Sequence, residues 1–257
     1  MTAAHLTPNL VSIVTPAYNS AATMEATIQS VLSQTHQSWE LLVVIDQGTK
    51  DATPDIVLNY SATDPRIRLL KVPQGKGLAL SRNYALSQAR GQYVAFLDSD
   101  DVWLPEKLEK QLEHLKKNNG AFATHRYRRM SFDEKTVGHL LNVPAKITYK
   151  DLLVNNVIGC LTVLVDQSQT GPLQFEETKH EDFLLWLSLL KRGFDCYGLQ
   201  EDLARYRIVP SSRSANKFEM AAVRWKILRK HERLNVFSSL YYLSGYVATS
   251  LNKYKQF

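Results

Sequence analysis

Three carboxylates fall within four residues at Asp98-Ser99-Asp100-Asp101, directly after the apolar run Tyr93-Val94-Ala95-Phe96-Leu97. Carboxylates crowded this closely repel one another. A hard divalent cation, Mn2+ or Mg2+, relieves that repulsion through oxygen ligands and commonly bridges one or two carboxylates to a substrate diphosphate. Asp98 and Asp100 are the candidate metal ligands, with Ser99 between them. The same acids also suit the plain start of a helix ahead of Pro105, where negative charge complements the helix dipole.

Other candidates sit at similar places. Asp46 follows the apolar run Leu41-Leu42-Val43-Val44-Ile45 and could accept hydrogen bonds from a nucleobase or a ribose, or simply make a strand-end turn. Pro16-Ala17-Tyr18-Asn19 offers an aromatic face for base stacking in what is otherwise an ordinary turn. Arg82-Asn83, after Gly75-Lys76-Gly77, would bring a cation near phosphates, although an exposed first-turn arginine is the commoner arrangement. His180-Glu181-Asp182 places two carboxylates at a helix start. They suit capping there, and equally a general base that removes a proton from an acceptor hydroxyl. Trp186 lies at i+4 from Asp182, so it shares a helix face with it and would cover the base or the acceptor.

The elements that must carry these residues alternate. Strands are expected at 10–14, 41–45, 67–72 and 93–97, and helices at 22–34, 54–60 and 78–89. Repeated βαβ units imply a mainly parallel, Rossmann-like sheet flanked by helices, which binds ligands beyond the carboxyl ends of its strands. Asp46 and Asp98 occupy such ends. Pro105 is placed at the first position of a helix running to about 118 and capped by Gly120. Residues 121–165 read as short strands and loops, and 181–192 as a short amphipathic helix stopped by Gly193.

The chain has 257 residues, enough for one α/β domain with an appendage, and 44% hydrophobic content, which excludes a disordered chain. Its net charge is +6. Seven basic residues against one acid lie between Ala222 and Phe257, leaving 24 of each sign elsewhere. The catalytic region is thus charge-neutral and carries no nucleic-acid-binding motif. Cys160 and Cys196 form no metal or disulfide pattern, and the start shows no secretory signal, so a cytoplasmic enzyme is expected. Residues 1–215 are the expected catalytic domain. Residues 216–257 are an expected basic, aromatic-rich helical extension, with Phe237, Leu240, Tyr241 and Val247 at helical spacing. Such a segment either lies on the anionic inner face of the plasma membrane or packs on the domain.

Taken together, Val11 to Asn19, Val43 to Asp51, Arg82-Asn83, Phe96 to Trp103, His180 to Trp186 and Tyr206-Arg207 resemble the family 2 inverting glycosyltransferases of GT-A fold. The likeness covers about residues 10–214 and is greatest to bacterial enzymes building teichuronic acid, capsule and O-antigen. It implies a UDP-sugar donor bound by Pro16, Ala17, Tyr18, Asn19, Asp46, Arg82, Asn83, Asp98, Ser99 and Asp100. It implies Mn2+ or Mg2+ as cofactor, Asp182 as base and Glu181 as an orienting partner. Asp101, Trp103, Trp186 and Arg207 become candidate substrate contacts, and a glycan or lipid-linked oligosaccharide the acceptor. Gln47 and Val209 depart from the family pattern, which usually has Asp and His there. A nucleotidyltransferase or a non-catalytic sugar-nucleotide-binding protein are the alternatives. The former would normally show a glycine-rich phosphate loop where Pro16-Ala17-Tyr18-Asn19 stands.

Overall fold

The computed structural model describes residues 6–73, 75, 77–178, 180–208 and 217–253. Lys76, Val209 and the boundary at 215/216 lie outside the described residues.

The first half builds the parallel part of one sheet. Strands β1 (Thr7–Ala17), β2 (Trp39–Ile45), β3 (Ile67–Lys71) and β4 (Gly91–Phe96) alternate with helices α1 (Met24–Leu32), α2 (Thr53–Thr63) and α3 (Leu78–Gln88). They lie side by side in the order β3-β2-β1-β4, all parallel. Their sequences are continuous apolar runs because both faces are covered. In β2, Leu42 and Val44 join one core while Leu41, Val43 and Ile45 join the other on the opposite face. β1 runs through Pro16 to Ala17, two residues beyond which the chain turns at the left-handed Asn19.

The second half extends the sheet with β5 (Val102–Trp103), α4 (Lys107–Lys117), β6 (Phe122–Met130), β7 (Val137–Leu141), β8 (Lys146–Ile147) and α5 (Tyr149–Val154). A one-turn 3-10 helix (Cys160–Thr162), β9 (Leu164–Asp166), α6 (Gln167–Thr170), α7 (Glu181–Lys191) and β10 (Cys196–Arg207) follow. The complete order is β3-β2-β1-β4-β9-β6-β10-β5. β9 is antiparallel to both β4 and β6, whereas β6 and β10 are parallel to each other. The sheet is therefore mixed: β9 runs opposite to the two parallel blocks it separates, and β5, β7 and β8 pair antiparallel with β10, β6 and β10, respectively. α4 begins at Lys107, two residues after Pro105, and the left-handed residue that ends it is Asn119 rather than Gly120.

The chain closes with α8 (Lys217–Lys226), a π turn (Ile227–His231) and α9 (Val236–Lys253). These elements pack on the domain. Ile227 and Leu228 enter the core, and the Arg224 guanidinium donates to the carbonyls of Leu152 and Leu153 at 2.7 and 2.8 Å. Gly245 lies against Val154, where a Cβ would come within 2.9 Å of Cγ1, so α9 needs glycine there to approach α5. The outer face of α9 is left open: Phe237 is 85% exposed and Tyr241 68%, with Val236, Leu240 and Val247 beside them. No described helix is long and apolar enough to cross a membrane.

Candidate active site

The loops following β1, β2 and β4 meet at the carboxyl end of the parallel block. Asn19 Oδ1 accepts from Lys50 N at 2.8 Å, and Ser20 N donates to Thr53 Oγ1 at 2.8 Å, which ties the first two loops together. Asp46 accepts from Gly77 N at 2.8 Å, bringing in the start of α3; Gly77 has φ +123°, a conformation that favours glycine. Tyr18 stands out of this edge, 59% exposed, with its ring over Gly48.

The Asp98-Ser99-Asp100-Asp101 turn is held from below by α1. Thr23 and Thr27 donate to the Ser99 carbonyl at 2.8 and 3.1 Å, and Thr27 also donates to the Asp101 carbonyl at 2.9 Å. Ser20 and Ser99 share a hydroxyl bond of 2.7 Å. With its carbonyl and hydroxyl both engaged, Ser99 shapes the turn instead of facing a ligand. Thr23 and Thr27 were not singled out from sequence, although two hydroxyls at i, i+4 on the buried face of a helix are a signal that something polar lies opposite.

Asp98 faces Arg82, whose Nη2 donates to Oδ1 at 2.7 Å. The same guanidinium reaches Glu181 Oε1 through Nη1 at 3.0 Å and is only 2% exposed. Glu181 and Asp182, at the start of α7, are thereby brought beside the donor-side carboxylates. Burial raises the pKa of both; Arg82 opposes the rise and the charge of Asp98 adds to it. The Asp100 carboxyl, which makes no ion pair among the described residues, is pushed up to about 6 by burial and by Asp98. Cys160 also lies in the electrostatic field of Arg82, Asp98, Glu181 and Asp182, and burial pushes its thiol well up.

A hard divalent cation fits this chemistry. Asp98 and Asp100 repel each other although Arg82 pairs with one oxygen of Asp98, and that pair does not engage the second Asp98 oxygen. The described residues hold no cluster of three or more His, Cys, Asp or Glu ligands.

Several sequence-based assignments are corrected. Trp186 is fully buried, its ring centroid 5.4 Å from that of Phe122 and 5.7 Å from that of Phe96; it forms the core and covers no acceptor. Trp103 is 2% exposed, donates to the Leu161 carbonyl at 2.8 Å and lies beneath Lys107 Nζ at 3.8 Å, so it touches no substrate. Asp101 is 1% exposed and accepts from Arg207 N at 2.8 Å. Arg207, itself buried, donates to the carbonyls of Asp100 and Phe132 and pairs with Glu134 at 2.8 Å. Asp101 and Arg207 are latches on the back of the turn. Asn83 spends both ends of its amide on the Phe175 backbone, at 2.8 and 2.9 Å, and is not free for a nucleotide. Pro16 and Ala17 are buried strand residues. Gln47 turns its amide to the carbonyls of Val72 and Pro73 at 3.4 Å.

A parallel block with acidic groups at its carboxyl edge, continued by a reversed strand and a second parallel pair, is the arrangement of the GT-A fold. The glycosyl transferase family 2 model matches residues 12–163, more than half of the chain, and the chain belongs to that family. It is 42% identical over 245 residues to TuaG of Bacillus subtilis, a glycosyltransferase assigned to teichuronic acid biosynthesis, covering 95% of this chain and 97% of that protein. It is 41% identical over 253 residues, 95% of each chain, to WfgD of Escherichia coli, a UDP-Glc:alpha-D-GlcNAc-diphosphoundecaprenol beta-1,3-glucosyltransferase. Among solved structures, Staphylococcus aureus TarS with UDP-GlcNAc aligns at TM-score 0.67 and 17% identity, over 93% of this chain and 71% of that one. The mannosyltransferase PcManGT from Pyrobaculum calidifontis, with GDP-Man and Mn2+, aligns at 0.66 and 16%, over 91% and 69%. The protein is a glycosyltransferase.

Proposed function

We propose that this enzyme transfers a sugar, with inversion, from a UDP-sugar to a hydroxyl of a lipid-linked glycan during synthesis of a bacterial surface polysaccharide. The observation that carries the reading is the Arg82 bridge between Asp98, at the end of the parallel block, and Glu181, next to Asp182 at the start of α7. The names of TuaG and WfgD support the polysaccharide setting and, for WfgD, a diphosphoundecaprenol acceptor.

Asp46 and the exposed ring of Tyr18 receive the uridine, and Asp98 and Asp100 hold the cation. When bound, Mn2+ or Mg2+ neutralises negative charge on the departing diphosphate. Asp182 takes the proton of the acceptor hydroxyl. The freed oxygen attacks the anomeric carbon from the face opposite the phosphate, the bond between that carbon and the phosphate oxygen breaks, and its electron pair leaves with UDP. Attack opposite the leaving group inverts the anomeric centre.

Positioned acid–base catalysis contributes about 10²–10⁴-fold. Asp182→Asn is therefore expected to bind UDP with Mn2+ as the native enzyme does and to lose transfer by that factor. Transfer at the native rate would dismiss the assignment, and turnover indifferent to EDTA would dismiss the metal.

The apolar outer face of α9, flanked by exposed Lys226, Lys230 and Arg233, supports peripheral contact with an anionic membrane. Arg224, counted from sequence among the lipid-facing cations, is committed to the interior.

A further inference from the structure

Two consecutive residues of α3 end on the segment that carries the acceptor-side carboxylates. Arg82 bridges Asp98 at 2.7 Å and Glu181 at 3.0 Å, with its guanidinium 5.3 Å from the Phe175 ring. Asn83 grips the Phe175 backbone from both sides, donating to its carbonyl at 2.9 Å and accepting from its N–H at 2.8 Å. The chain from Phe175 enters α7 through His180, which has a left-handed φ of 70°. One end of this segment is thus fixed by an amide pair and the other by an ion pair.

Arg82 is 2% exposed, each terminal nitrogen donates to one carboxylate, and its Nε is buried without a hydrogen-bond partner. A guanidinium so placed presents almost no surface to a diphosphate. Its planar fork can reach two carboxylates at once, which the single point charge of a lysine cannot.

We propose that Arg82 and Asn83 are positioning residues, which set Glu181 and Asp182 in register against Asp98 and make no contact with the donor diphosphate. The proposal rests on reading Asp182 as the base. Its force is geometric: a displacement of about 1 Å at a reacting group costs about 10²-fold in rate. The clamp ensures that the base side moves with the donor side as one body, since α3 is also bound to Asp46 through Gly77.

The test compares full-length Arg82→Lys, Asn83→Ala and Glu181→Gln with the native enzyme. Calorimetry with UDP and Mn2+ reads donor-site affinity, and release of UDP from UDP-glucose and UDP-GlcNAc reads kcat and KM. The expected result is UDP affinity within about 3-fold of native and a kcat lowered about 10²-fold at unchanged donor KM. Thermal melting identifies any variant that fails to fold. Should Arg82→Lys do so, Asn83→Ala and Glu181→Gln, which leave the Arg82–Asp98 pair in place, carry the test. UDP affinity lowered tenfold or more in Arg82→Lys, with Asn83→Ala turning over at the native rate, would make Arg82 a phosphate ligand and overturn the proposal. Full turnover by Asp182→Asn would remove the base assignment instead, while UDP affinity still decides whether Arg82 meets the diphosphate.

Discussion

The carboxyls of Asp100 and Asp182 are both raised, by burial first and by the charge of Asp98 second, but their protonation has different consequences. A proton on Asp100 competes with a cation, so Mn2+ uptake in the presence of UDP should weaken as the pH falls below about 6, as calorimetry at several pH values would register. A base works deprotonated. Activity should therefore fail as the pH drops through the raised pKa of Asp182, placing the acid limb of kcat above the usual aspartate range. A limb at the ordinary aspartate value would contradict that environment. The placement of Asp46 and Asp98 beyond buried strands and of Asp182 at a helix start is legible in sequence, because each stands where an apolar run ends or a helix begins. Trp103 and Trp186 lie in the core, away from where their spacing suggests, for one reason. Spacing shows which residues share an element, but not which side chain from about a hundred positions away will enclose them. Trp186 at i+4 from Asp182 was a fair guess for a one-sided helix. α7 is buried on almost every side, from Phe183 to Leu190, so sharing a face with Asp182 did not bring Trp186 to the crevice.

Elements place these residues through backbone contacts that are often remote in sequence. Thr27 in α1 is nearly isosteric with valine, and Thr27→Val removes the donor to the carbonyls of Ser99 and Asp101. Ser99 keeps its bond from Thr23, but leaving the Asp101 carbonyl without this donor costs about 1–3 kcal/mol, so a lower Tm should accompany weaker binding of UDP with Mn2+ as the turn loosens. At the opposite end of the strands, Glu40 in β2 is 1% exposed. It accepts from Ser12 Oγ at 2.7 Å and from the Arg90 N–H at 2.8 Å, and pairs with Arg68 at 3.0 Å and Arg90 at 2.8 Å. Against the upward push of burial, these bonds hold its pKa below the usual value. A depressed carboxylate contributes stability above the unfolded-state pKa and loses it as the pH falls through the folded value. Glu40→Ala should therefore lower stability at neutral pH, less so in acid, and leave the turnover of folded molecules unchanged, since the site lies at the other edge. β1, β2 and β4 announced themselves as doubly buried runs. β6 and β10 did not, because they mix Arg, Tyr and Thr with apolar residues and pair across some 70 positions.

The whole molecule joins a catalytic crevice to a helical appendage with two faces. Its inner face belongs to the domain, through Arg224, Ile227, Leu228 and Gly245, and its outer face is apolar. Each fully buried side chain such as Phe237 or Leu240 contributes roughly 1.5–3 kcal/mol. Phe237→Ser combined with Leu240→Ser should lower sedimentation with anionic liposomes at least about tenfold while UDP release stays native. Equal sedimentation would leave the face without a membrane role. The order of the strands has a consequence in time. β1 to β4 pair within the first hundred residues, so that block can assemble while the rest of the chain is still being synthesised, whereas the β6–β10 pair waits until β10 is completed at Arg207. The donor-side carboxylates are laid down by the early block, and Glu181 and Asp182 by the late one. A nascent chain would therefore assemble the edge that carries Asp46 and Asp98 well before Glu181 and Asp182 are set against it.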